Sequence, residues 1–169
     1  MSFETALAKT LGFEGVVSDH ALDRGGLTKW GVTQVAYASW RQRQGLPTRS
    51  VTEMTEPEMR ALYREDYWLP AGCDKLPDEL GEVVFDMAVN SGPKAAIRAL
   101  QRSLRILDDG IMGSETISAA HEAGPYVALH FLKERAALYR DIVKRDPAQV
   151  AFLAGWINRL LDQAWRLHA

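Results

Sequence analysis

Glu14 is the acidic side chain whose position best suits chemistry. Leu7 and Leu11 precede it at spacings close to whole helical turns, so its carboxyl group falls on the apolar side of a predicted helix. Because desolvation disfavours a carboxylate, an acid facing apolar walls keeps its proton to a higher pH. Such an acid suits general acid catalysis near neutral pH. The structural alternative is an ion pair with Arg24 or Lys29, and the helix pattern alone leaves both open.

Further carboxylates follow Glu14 in a polar, glycine-rich segment. Gly25 and Gly26 come directly after Asp23-Arg24, a pattern typical of a turn. A carboxylic acid that faces a second carboxylate across a cleft is the arrangement of glycoside hydrolysis. Asp19 and Asp23 are the candidates for this second group, although each taken singly is also an ordinary turn residue.

Six motifs run through the chain in order, and together they cover nearly all of it. The first four are Glu14-Gly15-Val16-Val17, Asp23-x-Gly25-Gly26-x-Thr28-x-x-Gly31-Val32-Thr33, Tyr63-x-x-Asp66-Tyr67-Trp68 and Phe85-Asp86-x-Ala88-Val89-Asn90-Ser91-Gly92. They resemble glycoside hydrolase family 108, N-acetylmuramidases found as phage endolysins and bacterial secretion activator proteins. The last two are Asp109-Gly110-Ile111-Met112-Gly113-Ser114-x-Thr116 and Gly155-Trp156-Ile157-Asn158-Arg159. They resemble that family's predicted peptidoglycan-binding region. The first motif departs from the family pattern, which usually has glycine and an aromatic residue where Val16 and Val17 stand.

The resemblance implies an enzyme that hydrolyses the β-1,4 bond between N-acetylmuramic acid and N-acetylglucosamine in peptidoglycan. In this reading Glu14 protonates the leaving oxygen, as the family's glutamate is taken to do. Asp23 is the first choice for the second carboxylate, and Thr28 helps to place the water. We therefore predict these three residues as the catalytic group.

Substrate-binding residues are predicted from the same motifs. Aromatic rings stack on the C–H faces of sugars, and Trp30 with Tyr67 or Trp68 flanks motif residues. The other tryptophans at 40, 156 and 165 are assigned to the core. Asp86 and Asn90 lie one helical turn apart and point the same way, which fits either a cleft or a buried hydrogen-bond network. Asp19 completes the predicted substrate-binding set.

The pattern of apolar residues is helical almost throughout. We predict an all-α fold, a lysozyme-like helical bundle, with a short β-hairpin or an irregular loop around residues 17–32. Thr33 is expected to cap one helix, and Thr55 with Glu58 forms a capping-box start for another. Later helices are predicted near 94–107, 115–123, 125–145 and 148–167. Residues 1–92 would form the muramidase region and residues 93–169 the peptidoglycan-binding region, packed as one compact unit.

The composition argues against several classes of partner. The net charge of −2 argues against sequence-independent nucleic-acid binding, although residues 91–169 carry eleven Lys and Arg against eight Asp and Glu. No apolar run approaches the ~20 residues needed to span a membrane, and the start of the chain lacks the pattern of a secretory signal. The four histidines and one cysteine have no zinc-ligand spacing. We expect no metal, no cofactor and no membrane insertion.

These features predict a monomer that acts on bacterial peptidoglycan as an endolysin. It would lie in the host cytoplasm and reach the periplasm and cell wall only after a holin or another agent permeabilises the membrane. Two alternatives stay open: a lytic transglycosylase acting on the same bond, and a non-enzymatic module that binds wall or assists secretion.

Overall fold

The chain folds mainly into α-helices. The computed structural model describes residues 2–12, the backbone of 17–18, and residues 28–167. The helices in these ranges are α1 (Phe3–Leu11), α2 (Gln34–Arg43), α3 (Glu56–Tyr63), α4 (Asp78–Ser91), α5 (Pro93–Ser103), α6 (Ser114–Glu122), α7 (Val127–Arg145) and α8 (Val150–Arg166). The strands are β1 (Val17–Ser18), β2 (Thr28–Lys29) and β3 (Val32–Thr33). The predicted all-α class is confirmed. None of the described helices is long and apolar enough to cross a membrane.

The chain divides into two compact units. One is Phe3–Asp66, and the other is Tyr67–Ala169 with the first two residues. The first unit holds α1 to α3 and a small antiparallel sheet in the order β1-β2-β3. Its core is built from fully buried apolar and aromatic side chains: Leu7, Tyr37, Met54, Leu62 and Tyr63.

Two helix starts in the first unit follow the sequence directly. The Thr33 hydroxyl accepts a hydrogen bond from the backbone N–H of Ala36 at 3.1 Å, so Thr33 caps α2. Thr55 and Glu58 form the reciprocal capping box at the start of α3. Each cap satisfies backbone donors that the first turn of a helix leaves without a partner. Both predicted caps are confirmed.

The second unit packs α4 against α5 and α7, and α8 against α7. Its core side chains include Val84, Phe85, Met87, Leu100 and Phe131. At Gly81 the helix α4 comes so close to the preceding turn that an added Cβ would lie 2.9 Å from the Cys73 carbonyl oxygen. The Cys73 side chain is buried in this packing. Desolvation by this burial is the main cause that raises the pKa of its thiol well above the ordinary range.

Two predictions about the C-terminal helices were wrong. The helix predicted over 94–107 ends at Ser103, because Arg105 takes a left-handed backbone conformation with φ 58°, and Leu107 is exposed. Trp165, assigned to the core from its aromatic character, is 77% exposed. The buried residue there is Gln163, and two residues further along a helix a side chain lies about 200° round the axis. The inner side of α8 is therefore partly polar.

Candidate functional site

Three of the predicted site residues, Glu14, Asp19 and Asp23, lie outside the described residues. Their catalytic and binding roles stay predictions. The described sheet carries the next one along the chain, Thr28, which pairs with Ser18 on β1 and with Thr33 on β3. Thr28 is buried. It is thus fixed by strands on both sides, and its suggested part in placing a water stays a prediction.

Trp30 sits in the two-residue loop that joins β2 to β3. Both loop residues have positive φ, 51° at Trp30 and 74° at Gly31, as the tight hairpin turns that suit strand twist require. The left-handed region is costly for a residue with a bulky side chain. Strained positions of this kind cluster at functional sites. Trp30 therefore has a backbone conformation that its own side chain disfavours, and the surrounding fold must stabilise it.

Two neighbours hold Trp30 in place. The Tyr63 hydroxyl donates a hydrogen bond to the Trp30 carbonyl oxygen at 2.7 Å. The Lys29 ammonium lies 4.5 Å from the centre of the indole ring, a cation–π distance. The same ammonium donates to the carbonyl oxygens of Thr52 and Met54 at 2.8 and 2.9 Å. The half-buried indole is therefore fixed by contacts on its backbone and on its face.

The indole lines a cavity of about 170 Å³ within the first unit. The residues round this cavity come from α1, the hairpin and α3: Glu4, Leu7, Ala8, Leu11, Trp30, Glu56, Met59 and Arg60. Arg60 forms ion pairs with Glu4 and Glu56 at its rim. Leu11 lies three residues before Glu14 in the sequence. The cavity offers a mixed apolar and charged surface next to one predicted sugar-stacking residue.

The two aromatic alternatives at 67 and 68 differ in exposure. After Tyr63 the chain forms a π-helical turn, Arg64–Trp68, a feature that often occurs at functional sites. Trp68 is buried, with its ring packed edge-on against Phe85 at 5.3 Å between centroids. Tyr67 is half-buried. Of the pair, Tyr67 is the residue with surface left for a sugar.

Asp86 is placed in a buried ion-pair network. Its side chain is 2% exposed and contacts two guanidinium groups. Arg135 donates to Oδ2 at 2.5 Å, and Arg159 donates to Oδ1 at 2.7 Å through Nη2 and to both oxygens through Nε. Arg135 donates in turn to the Tyr139 hydroxyl at 2.7 Å and to Gln163 Oε1 at 2.9 Å. Of the two arrangements considered for Asp86, the structure shows the hydrogen-bond network.

Asn90 contributes to the same helix rather than to the ion pairs. Its Nδ2 donates to the backbone carbonyl oxygen of Asp86 at 2.8 Å, one turn earlier on α4. Asn90 itself is exposed near the C-terminal end of the helix. Its predicted contact with substrate stays a prediction.

Comparison with protein families gives two matches. Residues 7–92 match Glycosyl hydrolase 108, and residues 95–161 match the Predicted Peptidoglycan domain. The chain belongs to the glycosyl hydrolase 108 family. It is accordingly a glycoside hydrolase of the N-acetylmuramidase type with a C-terminal peptidoglycan-binding region, as the motifs predict. Peptidoglycan is its substrate partner.

The fold is shared with a solved relative of this family 108 hydrolase. The structure described as Brucella abortus SagA aligns with a TM-score of 0.84 at 27% sequence identity, over 98% of this chain and 92% of that chain. Among curated proteins, none matches this chain in sequence.

The Asp86 network joins the two family-matched regions of the hydrolase. Asp86 lies on α4, in the hydrolase match, whereas Arg135 and Arg159 lie on α7 and α8, in the peptidoglycan-domain match. Desolvation by itself would raise the pKa of Asp86, but the charges and hydrogen bonds of the two arginines outweigh it and lower the pKa below its usual value. The carboxylate is thus held ionised in the core.

Sequence reasoning missed both arginine partners of Asp86. Arg159 was recognised only as the last residue of a motif, and Arg135 carried no signal except its position on the inner side of a long helix. The partners lie 49 and 73 residues from Asp86 in the chain. One signal was present: Asp86 lies on the apolar side of α4, and a buried Asp almost always has a partner.

Proposed function

We propose that this enzyme cleaves the β-1,4 bond between N-acetylmuramic acid and N-acetylglucosamine, with Glu14 as the general acid. The observation that carries the proposal is the family match over residues 7–92, because it spans Glu14 and all the predicted catalytic residues. The strained and doubly anchored Trp30 supports it, since a fixed indole suits stacking against a sugar ring.

Asp23 is the proposed second carboxylate, either positioning the attacking water or stabilising the cationic transition state. Thr28, fixed between two strands, would help to orient that water. A separation of about 5–5.5 Å between the two carboxyl groups would indicate retention of configuration, and one of about 6.5–9.5 Å inversion. The anomeric configuration of the first product therefore indicates the distance between the two carboxyl groups.

The proposed biological role is that of an endolysin. The protein would accumulate as a monomer in the host cytoplasm and reach the wall when a holin or an equivalent agent opens the inner membrane. Expression in an intact Gram-negative host should be tolerated until a permeabilising agent is added, and lysis should then follow. Prompt lysis without such an agent would refute this part of the proposal.

The deciding experiment is digestion of purified peptidoglycan by the wild type and by Glu14→Gln. Glutamine is nearly isosteric but has no acidic proton to transfer, so the rate should fall by at least ~10²–10⁴-fold while the melting temperature stays equal or rises slightly. Glu53→Gln, at an exposed position in the same unit, is the matched control and should keep full activity.

Product masses complete this test. A hydrolase releases muropeptides with a reducing N-acetylmuramic acid end, whereas a lytic transglycosylase leaves the anhydro sugar, lighter by one water. A Glu14→Gln protein that melts early yet still digests wall would show that Glu14 is only an ion-pair partner.

A further inference from the structure

A basic groove follows α7 on the surface of the second unit. It consists of three adjoining cavities of about 710, 370 and 150 Å³. The 710 Å³ and 150 Å³ cavities share Arg102 and Glu134. The 150 Å³ and 370 Å³ cavities share Ser103, Arg105 and His130. Its lining runs from Tyr126 to Arg145, a stretch of helix about 28 Å long at 1.5 Å per residue.

Positive charge dominates this groove. Its six basic side chains are Arg102, Arg105, Lys133, Arg140, Lys144 and Arg145, against three acids, Glu122, Glu134 and Asp141. The basic side chains are all exposed. Arg102 is paired with Asp108 and Glu134. Within residues 28–167, no ion pair engages Arg105, Lys133, Lys144 or Arg145, so their charge is available to a ligand.

Two local details concern the positive charge at the two sides of the groove. The hydrogen bond from Arg140 is the main cause that lowers the pKa of the Asp141 carboxyl, and the charges of Lys144 and Arg145 add to it. Among the described residues, only Arg140 forms an ion pair with this carboxylate, so the charges of Lys144 and Arg145 are not neutralised by it. At the other side of the groove, Arg105 occupies the left-handed position that ends α5, with φ 58°. Glycine is the usual residue at such a helix end, so an arginine is present there despite its backbone preference.

We infer that this groove binds the carboxylate-bearing stem peptides of a peptidoglycan strand. The inference rests on the proposed function, since it assigns a binding site for the same polymer. A line of exposed cations complements a repeating anionic chain. Tyr126, 63% exposed at one end, adds an aromatic face on which a sugar can stack. The whole groove lies within residues 95–161, the range matched by the Predicted Peptidoglycan domain.

The test measures binding to purified Gram-negative sacculi, whose anions are stem-peptide carboxylates. All proteins carry Glu14→Gln so that the wall is not digested. The double variant Arg140→Gln/Lys144→Gln should weaken binding about fivefold to twentyfold at low salt, with the difference shrinking at high salt. The matched control is Lys94→Gln, an exposed lysine on α5 that lines none of the three cavities, and it should bind as the parent does.

A second variant separates binding from folding. Arg105→Gly removes one groove charge but suits the left-handed backbone better, so it should bind wall more weakly while melting at an equal or higher temperature. A structural role for Arg105 would give the opposite melting result.

The remaining experiments test whether stem-peptide carboxylates are the groups that bind in the groove. Sacculi whose carboxylates are blocked as methylamides should bind the parent protein at least as weakly as untreated sacculi bind the double variant, because blocking removes all the anions and the variant removes only two of the cations. Unchanged binding by the double variant, an equal loss in Lys94→Gln, or equal affinity for duplex DNA of matched charge would each overturn the inference. The catalytic proposal fails separately, through continued wall digestion by Glu14→Gln.

Discussion

Two carboxylates in this protein each bind two arginines, yet they do so in different ways. Glu58 in the first unit accepts from Tyr37 at 3.0 Å and from Arg49 at 2.6 Å, and it pairs with Arg41. Its side chain is 17% exposed, against 2% for Asp86 in the second unit. The partners of Glu58 lie within 21 residues of it along the chain, whereas those of Asp86 lie 49 and 73 residues away.

The difference shows what each cluster does for the fold. The Glu58 cluster fastens one helix start to its nearest neighbours, at a place where water still reaches the carboxylate. The Asp86 cluster joins α4, α7 and α8 in a space from which water is nearly excluded. A buried charge that loses its partner keeps its full desolvation penalty, while an exposed one regains water. Although each carboxylate has two arginine partners, losing the buried one should therefore cost more free energy of unfolding.

The largest effect is expected for Asp86→Asn. The amide cannot balance two buried guanidinium groups, so the free energy of unfolding should fall by about 3–5 kcal/mol. Urea titration followed by circular dichroism measures the change. Asp108→Asn is the matched control, because it removes an exposed partner of Arg102 and should cost only about 0–1 kcal/mol. Similar losses in the two variants would contradict the assigned importance of burial.

A smaller effect is expected for Glu58→Gln. Glutamine still completes a capping box, so the variant removes the charge and keeps the helix start. The free energy of unfolding should fall by about 1–2 kcal/mol, as is usual for hydrogen bonds to a charged group near the surface. The same urea titration should show a shifted midpoint with an unchanged slope. A loss as large as that of Asp86→Asn would erase the contrast between the two clusters.

The smallest effect is a difference in acid sensitivity. Desolvation by burial would raise the pKa of Asp86 and of Glu58, but both are lowered in the folded state. The arginine charges outweigh desolvation at Asp86, and hydrogen bonds from Thr55 and Tyr37 outweigh it at Glu58. Each therefore contributes stability above its unfolded pKa, about 3.9 for Asp and 4.3 for Glu, which is lost as pH falls through the folded value. Below about pH 4 the stability of Asp86→Asn should fall less steeply than that of the wild type. Melting curves recorded between about pH 2 and 6, an interval that brackets these pKa values, measure the difference in acid sensitivity.

Local features of the fold could be predicted from the sequence. Thr33 and the Thr55–Glu58 box lie next to the helices they cap, so a few adjacent residues contain all the information. The short hairpin around residues 17–32 was one of two alternatives, and the β2–β3 turn is seen there. The family was recognisable because its motifs keep residue types in order along the chain.

Long-range features could not be predicted. The burial of Asp86 depends on cations from helices far along the chain, and no spacing rule connects them. Trp165 was misplaced for the same reason: α8 turns Arg159 and Gln163 inward to complete the Asp86 network, which leaves the tryptophan outside. The catalytic assignment of Glu14, Asp19 and Asp23 stays a prediction from the motifs.

The tight contact between Gly81 and the turn at Cys73 gives the molecule a built-in reporter. Cys73 is the single cysteine of the sequence, and desolvation by burial raises the pKa of its thiol. Thiolates, not thiols, react with alkylating agents. Labelling of the native protein therefore requires transient exposure of the buried Cys73 side chain. The labelling rate with an alkylating agent therefore reports how often the side chain becomes exposed, and no substitution is needed to introduce the thiol.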